Sequence, residues 1–89
     1  MRTAHYTRQF KRDLKLAQKR RKDISKIKNV MALIVEEHVL AERHKDHPLA
    51  GNFVHYRECH IEPDWLLIYQ LTPSEVCFVR TGTHSDLYG

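Results

Sequence analysis

Tyr56-Arg57-Glu58-Cys59-His60-Ile61-Glu62-Pro63-Asp64-Trp65 decides the fold, because this stretch predicts the end of one β-strand, a tight turn and the start of the next strand. Pro63 fixes φ and Asp64 can hydrogen-bond to its own backbone, which favours a turn between the strands. Since side chains alternate along a strand, Glu58 and His60 are expected on one face. The carboxylate and the imidazole on that face, with Asp64 at the turn, indicate that the face serves something other than packing.

Three strands are predicted around this turn, covering Phe53 to Ile61, Trp65 to Leu71 and Glu75 to Thr81. Their short connections favour an antiparallel meander. The middle strand is apolar throughout and is expected to be central, with both of its faces covered. A brief edge strand is expected within residues 1–6, and one helical turn within residues 85–89.

The segment before the sheet predicts two amphipathic helices. Thr7 is expected to cap the first, in which Phe10, Leu14 and Ala17 follow helical spacing. Asp23 is expected to cap or begin the second. The apolar stripe of the second helix recurs at steps of three and four residues: Ile24, Ile27, Val30, Met31, Ile34, Val35 and His38. A connection of very few residues favours an antiparallel helical hairpin, and residues 39–51 are expected to form a loop.

The order of the elements predicts an α+β fold, in which the N-terminal helical hairpin packs on one face of a small antiparallel β-sheet. A chain of 89 residues is expected to form one domain, 1–89. The two cysteines show no paired spacing and are expected to be reduced. No apolar run has the length of a membrane span and no signal-peptide core follows Met1, so a cytoplasmic protein without a membrane partner is expected.

Positive charge is concentrated in the first third of the chain. The formal net charge is +4, and eleven of the fifteen Lys and Arg residues lie between Arg2 and Lys28. This density favours an anionic partner such as RNA, whereas a merely solvated helix face does not predict it. The candidate phosphate-binding cations lie on the helical hairpin: Lys11, Arg12, Lys15, Lys19, Arg20, Arg21 and Lys22.

Seven histidines raise the question of a metal site. The spacings His44-x-x-His47 and His55-x4-His60 resemble parts of metal sites. Neither an H-E-x-x-H nor a C-x-x-C motif is present, so no metal is expected. His5, His38, His44 and His55 are interpreted as surface or helix-face residues without an assigned role. Neither a G-x-S-x-G nor a phosphate-binding glycine loop is present, and no cofactor is expected.

Metal-free cleavage of RNA is the second possibility for the histidines. In that reaction a ribose 2′-hydroxyl attacks the adjacent phosphate, one group removes its proton and another protonates the leaving 5′-oxygen. Histidine suits both tasks because its ordinary pKa of about 6.5 lies near working pH. The candidate catalytic set is His47, His60, Asp64 and His84. Arg57 and Arg80 are candidate stabilisers of the charge on phosphorus.

Several blocks of the sequence, in this order and spacing, carry a resemblance to a known family. They are Lys45-Asp46-His47-Pro48-Leu49, Glu62-Pro63-Asp64-Trp65 and Arg80-Thr81-Gly82-Thr83-His84. With Leu67-Ile68-Tyr69 and the helical segment Leu16 to Arg20, they resemble the YafQ toxins, a branch of the RelE/ParE superfamily of type II toxin–antitoxin systems. The resemblance covers essentially the whole chain, and the superfamily fold agrees with the α+β prediction.

The resemblance implies a ribosome-dependent endonuclease that cuts mRNA in the ribosomal A site, stops translation and is blocked by a RelB/DinJ-type antitoxin. It implies the same catalytic set: His47, His60, Asp64 and His84. Trp65 and Tyr88 become candidates for contacts to a base or ribose, and Glu58 becomes a supporting candidate. The basic hairpin would then contact ribosomal RNA.

Two other functions remain open from the sequence. A ParE-like toxin would act on DNA gyrase without hydrolysing RNA, but such a binder has no need for three histidines and an aspartate as proton-transfer groups. A small basic regulatory protein that binds nucleic acid is the second alternative. An antitoxin-like reading frame beside the gene would separate the toxin from that alternative.

Overall fold

The computed structural model describes residues 1–51 and 55–89. Its elements, in chain order, are β1 (Thr3–Tyr6), α1 (Arg8–Lys19), α2 (Ile24–Val35), a 3-10 helix (Glu42–His44), β2 (His47–Pro48), β3 (Arg57–Glu62), β4 (Trp65–Leu71), β5 (Glu75–Gly82) and α3 (His84–Tyr88). The α+β prediction is confirmed. No helix in these residues has the length and apolar character that a membrane crossing requires.

The five strands form one sheet in the order β1-β5-β4-β3-β2, which places β4 at the centre as predicted. The prediction of a purely antiparallel sheet is wrong at one edge, because β1 runs parallel to β5. Only strands joined by short hairpins must be antiparallel, and the helices and three further strands separate β1 from β5. The meander of β3, β4 and β5 is antiparallel, as expected.

Both helices of the hairpin begin at the predicted caps. The side chain of Thr7 accepts a hydrogen bond from the N–H of Phe10, and that of Asp23 accepts one from Ser25. The second helix ends at Val35, before His38, which was predicted to extend its apolar stripe. Glu37 adopts a left-handed φ of 64°, so the helix cannot continue, and the N–H of His38 instead bonds the Leu33 carbonyl.

The core lies between the two helices and one face of the sheet. It is built from Phe10 and Ala17 of α1, Ile27, Val30 and Ile34 of α2, and Cys59, Ile61, Trp65, Leu67, Tyr69, Val76 and Phe78 of the sheet. The predicted burial of β4 on both faces is confirmed, since residues 65 to 69 are all buried. Removing a fully buried aromatic such as Phe10 or Phe78 by truncation to alanine costs about 3–5 kcal/mol.

Two irregularities in strand pairing reorient the side chains that follow them. Between β3 and β4, His60 pairs with Leu66 and Glu62 with Trp65, so the pairing skips Ile61. Between β4 and β5, Ile68 pairs with Arg80 and Tyr69 with Phe78, so Val79 is skipped. Since alternation has a period of two, one extra residue moves the next side chains to the opposite face.

The segment expected to be a loop contains two short elements, the 3-10 helix and β2. Neither is long enough to produce a periodic pattern in the sequence. The first predicted strand, Phe53 to Ile61, begins only at Arg57 in the structure and ends at Glu62. Its predicted start falls on residues 52–54, which lie outside the described part of the chain.

Candidate active site

Glu58 lies at the centre of a group of polar side chains on the sheet face opposite the helices. Its neighbour Cys59 points into the core, so Glu58 and His60 point away from it. Glu58 pairs with His47 of β2, which brings His47 to the same face. The Nε2 atoms of His47 and His60 each lie 3.5 Å from Oε1 of Glu58. The hydroxyl of Tyr88 donates a hydrogen bond to the other carboxylate oxygen.

The second pair is formed by His84 and Asp64, which are brought together by the ends of the meander. Nδ1 of His84 lies 2.5 Å from Oδ1 of Asp64, and the backbone N–H of His84 donates to the same oxygen at 2.9 Å. These two bonds, the backbone one first, hold the pKa of Asp64 below its ordinary value. The ring of His84 meets that of His60 edge-on at a centroid distance of 5.9 Å.

His60 therefore stands between the other two histidines. Its ring centroid is 6.5 Å from that of His47 and 5.9 Å from that of His84. The structure thus brings together all four predicted catalytic residues, His47, His60, Asp64 and His84. It adds a buried carboxylate, Glu58, which is only 6% exposed.

Helix α3, which carries His84 at its first residue, is held by a hydrogen-bond network that was not predicted from the sequence. Thr83 and Asp86 form a capping box, in which each side chain bonds the backbone of the other. Arg20 at the end of α1 donates two hydrogen bonds to Asp86, at 2.7 and 3.3 Å. Gly82 permits the close approach of α3, because a Cβ atom there would lie 2.9 Å from that of Asp86. The spacing Thr83-x-x-Asp86 is the sequence signal that predicts this cap.

The chain is similar to known proteins over nearly its whole length. A family model described as the bacterial toxin of type II toxin–antitoxin system, YafQ, matches residues 2–89. The chain belongs to the YafQ toxin family. It is 48% identical over 89 residues to the mRNA interferase toxin YafQ of Escherichia coli strain K12, covering 99% of this chain and 97% of that protein.

Solved structures extend the similarity to the fold. The YafQ chain in the crystal structure of the E. coli DinJ–YafQ toxin–antitoxin complex matches with a TM-score of 0.93 at 48% identity, covering 99% of this chain and 98% of that one. The metal-bound toxin from Helicobacter pylori matches with a TM-score of 0.92 at 38% identity, covering 99% and 100% of the two chains.

In this YafQ-family toxin, both arginines that were predicted to stabilise the charge on phosphorus form ion pairs with carboxylates. Arg80 binds Asp13 of α1 through Nε at 2.8 Å and through an Nη atom at 3.2 Å, and the backbone N–H of Thr81 also donates to Asp13. Arg80 nevertheless lies in a cross-strand row with Ile68 and Glu58, on the histidine face. Asp13 was not predicted from the sequence as a partner of Arg80, and its position on the buried side of α1 is the only signal for it.

Arg57 lies apart from the histidines. Its side chain alternates with that of Glu58 and its Nε atom binds Asp46 at 3.2 Å, next to the hydroxyl of Tyr69, which also donates to Asp46. The structure therefore does not bring Arg57 to the candidate site. Trp65 is also withdrawn, because it is 1% exposed and its Nε1 atom donates to Thr81 Oγ1 at 3.0 Å. A ring so buried presents no face on which an RNA base could stack.

The predicted RNA-binding cations fall into two groups. Lys11, Arg12, Lys15, Lys19 and Arg21 are exposed on the helical hairpin. Arg20 binds Asp86, and Lys22 binds Glu62 at 3.2 Å together with Lys26 at 2.8 Å, so these cations also join the hairpin to the sheet and to α3. The side chain of Glu62 lies on the helix side of the sheet, because the pairing irregularity at Ile61 comes directly before it.

The remaining described histidines include one with an evident structural role. His44 is 7% exposed, and its Nδ1 donates to the backbone carbonyl of His60 at 2.6 Å. This bond ties the 3-10 helix to the strand that carries His60. Within residues 1–51 and 55–89, no three His, Cys, Asp or Glu side chains are arranged as a metal-binding group.

Proposed function

We propose that this toxin is an mRNA endonuclease that works by general acid–base catalysis on the ribosome and is neutralised by a RelB/DinJ-type antitoxin. The observation that supports this function most strongly is the pair of imidazole–carboxylate units, Glu58–His60 and Asp64–His84, with their rings 5.9 Å apart. Since each ring can form a hydrogen bond of about 2.8 Å, one phosphodiester group can contact both rings. The relatives named mRNA interferases supply the substrate class.

The reaction needs one proton removed and one delivered. The ribose 2′-oxygen loses its proton to a base and forms a bond to phosphorus, while the bond from phosphorus to the 5′-oxygen breaks and that oxygen receives a proton from an acid. The products are a 2′,3′-cyclic phosphate and a free 5′-hydroxyl. No net proton is consumed, so a base and an acid of similar strength on opposite sides of the phosphate are suited to the task.

His84 is the acid in this proposal. The lowered pKa of Asp64 keeps this carboxylate ionised at neutral pH, and its negative charge stabilises the protonated imidazole beside it. With Nδ1 committed to Asp64, Nε2 of His84 carries the proton for the leaving 5′-oxygen. The side chain is 55% exposed, so water can restore that proton after each turnover.

His60 is the base in this proposal. Glu58 faces its Nε2 atom and can only accept a hydrogen bond there, which holds the proton of neutral His60 on Nε2 and leaves the lone pair on Nδ1. A buried carboxylate that selects the tautomer of a catalytic histidine is a recurrent arrangement in hydrolytic sites.

His47 differs from His60, because both of its ring nitrogens face oxygen atoms that only accept hydrogen bonds. Nδ1 contacts the carbonyl of Lys45, and Nε2 faces the carboxylate of Glu58. Both contacts are favourable when His47 is the imidazolium. In this proposal it therefore stabilises the negative charge that develops on the phosphate oxygens.

In this proposal the ribosome aligns the RNA substrate with the catalytic side chains. His47, Asp64 and His84 are exposed to solvent, and a flexible RNA must be aligned before an imidazole can act on it. Alignment of reactants can contribute roughly 7–11 kcal/mol to lowering a barrier, so the ribosome is expected to supply much of the rate. A ribosome-bound substrate also implies action in the cytoplasm. The complex of E. coli YafQ with DinJ supports an antitoxin of that type as the partner.

The test is cleavage of an mRNA on purified ribosomes by the parent toxin and by the variant His84→Gln, which keeps a polar side chain but cannot deliver a proton at neutral pH. We expect the variant to lose about 10²- to 10⁴-fold in rate at an unchanged melting temperature. His38→Gln removes an exposed imidazole beyond the end of α2 and is the matched control.

Three results would overturn the proposal: no cleavage by the parent toxin, equal cleavage by the parent and His84→Gln, or rapid cleavage of the same RNA without ribosomes. Mapping of the 5′-hydroxyl ends verifies the chemistry. Inhibition of DNA gyrase by a toxin that leaves ribosome-bound mRNA intact would favour the ParE-like alternative.

A further inference from the structure

Tyr88 and Glu58 form a hydrogen bond that joins the end of the chain to the buried carboxylate of the site. The two residues are 30 positions apart, and the hydroxyl of Tyr88 donates to Oε2 of Glu58. The other oxygen, Oε1, faces the Nε2 atoms of His47 and His60 at 3.5 Å each. One carboxylate therefore has one oxygen held by a phenol and the other directed at two imidazoles.

The geometry of a carboxylate explains why that phenol matters. A glutamate side chain turns easily about its terminal bond, so its two oxygens exchange places or tilt when nothing holds them. A hydrogen bond to one oxygen fixes the plane of the group and with it the position of the other oxygen. Partial burial and the adjacent Glu58 raise the pKa of Tyr88, so the phenol keeps its proton and remains a donor.

We propose that Tyr88 is a positioning residue, which fixes the carboxylate of Glu58 so that this group orients the rings of His60 and His47. The inference rests on the proposed function, because it assigns to Tyr88 an effect on the proton-transfer groups named there. It gives the hydroxyl of Tyr88 a role distinct from stacking on a base, for which the ring alone would be sufficient.

The location of Tyr88 extends the inference to the whole of α3. His84 is the first residue of this helix and Tyr88 is its last, and the helix spans five residues. Its docking therefore brings His84 to Asp64 and the phenol to Glu58 in a single step. The acid and the base are oriented by the same short element, and the Arg20–Asp86 contact that holds the element acts on both.

The first experiment compares Tyr88→Phe with Tyr6→Phe. Both changes remove only a hydroxyl, from side chains of nearly equal exposure, 46% and 47%, and Tyr6 packs on Phe10 and Phe78. Single-turnover cleavage is measured at increasing concentrations of programmed ribosomes. We expect Tyr88→Phe to lower the maximal rate by about 10-fold or more, as for other losses of orientation. The half-saturating ribosome concentration should change by less than about 2-fold, because the ring remains.

An unchanged maximal rate, or a loss confined to ribosome affinity, overturns the inference. In the second case Tyr88 would act as a substrate contact. Tyr6→Phe should match the parent toxin in both quantities, and an equal loss in that variant would also contradict the assignment.

The second experiment is a double-mutant cycle with Glu58→Asp. This change keeps the charge but shortens the side chain by one methylene group, so the carboxylate can no longer reach the phenol and both imidazoles together. If Tyr88 acts through Glu58, Tyr88→Phe should change the rate by less than about 2-fold in the Glu58→Asp background. Multiplicative effects of the two changes would show that the residues act independently and would overturn the inference.

A measurement without substrate separates this inference from the proposed function. The ring ¹⁵N resonances of His47 and His60 report which nitrogen carries a proton, and they should shift in Tyr88→Phe but not in Tyr6→Phe, while those of His84 stay in place. Lack of mRNA cleavage by the parent toxin would refute the proposed function alone. Unshifted resonances in Tyr88→Phe would refute the positioning role alone.

Discussion

An Nη atom of Arg20 lies 2.7 Å from Oδ2 of Asp86, joining the end of α1 to the helix that carries His84. The same carboxylate also accepts the backbone N–H of Thr83. Arg20 was predicted to contact RNA because it lies in a run of cations. The structure shows that it also holds the helix that carries the candidate acid, His84. The two roles lead to different expectations for substitutions along the basic hairpin.

Replacement of Arg20 by alanine should lower the rate of cleavage on the ribosome, because α3 loses the contact that fixes its orientation. We expect a loss of about 5-fold in maximal rate, in the range caused by small displacements of reacting groups. Lys19→Ala removes the same charge from the adjacent exposed position and is the control. Equal rates in the two variants would show that the contact between α1 and α3 has no effect on the site.

Charge reversals on the exposed face of α1 should weaken binding to the ribosome without altering the fold. Each lysine that neutralises a phosphate releases bound counterions, so its loss reduces the slope of log affinity against log salt by about 1. Lys11→Glu and Lys15→Glu are the informative variants, and Lys28→Glu on α2 is the control for charge alone. Co-sedimentation with ribosomes across a salt series measures the slope. Equal slopes in all three variants would contradict a phosphate contact at Lys11 and Lys15.

The contribution of Asp86 to stability should depend on pH. Its hydrogen bond to Arg20, followed by those to Thr83, lowers the pKa of the carboxyl from 3.8 to about 2. A carboxyl with a lowered folded-state pKa stabilises the fold fully above its unfolded value, and this stabilisation disappears as pH falls through the folded value. The difference in melting temperature between the parent and Asp86→Asn should therefore be constant above about pH 5 and shrink from about pH 4 to pH 2.

Glu36→Gln, which removes an exposed carboxylate at the end of α2, is the control for the general effect of acid on the fold. A difference between the parent and Asp86→Asn that persists undiminished at pH 2 would mean that Asp86 stabilises α3 through its shape and not through its charge.

The purified toxin is expected to contain no stoichiometric transition metal. In the described residues no three His, Cys, Asp or Glu side chains are arranged to hold a metal ion, and both ring nitrogens of His47 already face acceptor oxygens. The metal-bound toxin of H. pylori makes the measurement worthwhile. Elemental analysis of protein purified without an affinity tag that binds metal is the test. One metal per chain, lost in His47→Ala and retained in His38→Ala, would place a metal at the histidine cluster.

Local chemistry was sufficient to predict much of this fold. Thr7 and Asp23 each accept a capping hydrogen bond from a residue that follows shortly after in the chain, Phe10 and Ser25. Both partners of each bond are therefore visible in a short stretch of sequence. The turn at Pro63 and Asp64 follows from the dihedral preferences of those residues. The central strand was predicted with its observed bounds, Trp65 to Leu71, because an uninterrupted apolar run of that length has few alternatives to a covered strand.

The sequence did not show how distant segments of the chain pair with one another. Alternation from Phe78 places Arg80 in the core, yet the skipped residue Val79 moves it out of the core row and into the row of Ile68, and Asp13 of α1 binds its guanidinium group. Strand register and the direction of β1 depend on packing across the whole sheet, and an extra residue reverses every side chain beyond it. The motifs therefore predicted the candidate catalytic residues, whereas the tertiary structure decided that Glu58 faces two histidines, that Arg20 binds Asp86 of α3 and that Trp65 is withdrawn into the core.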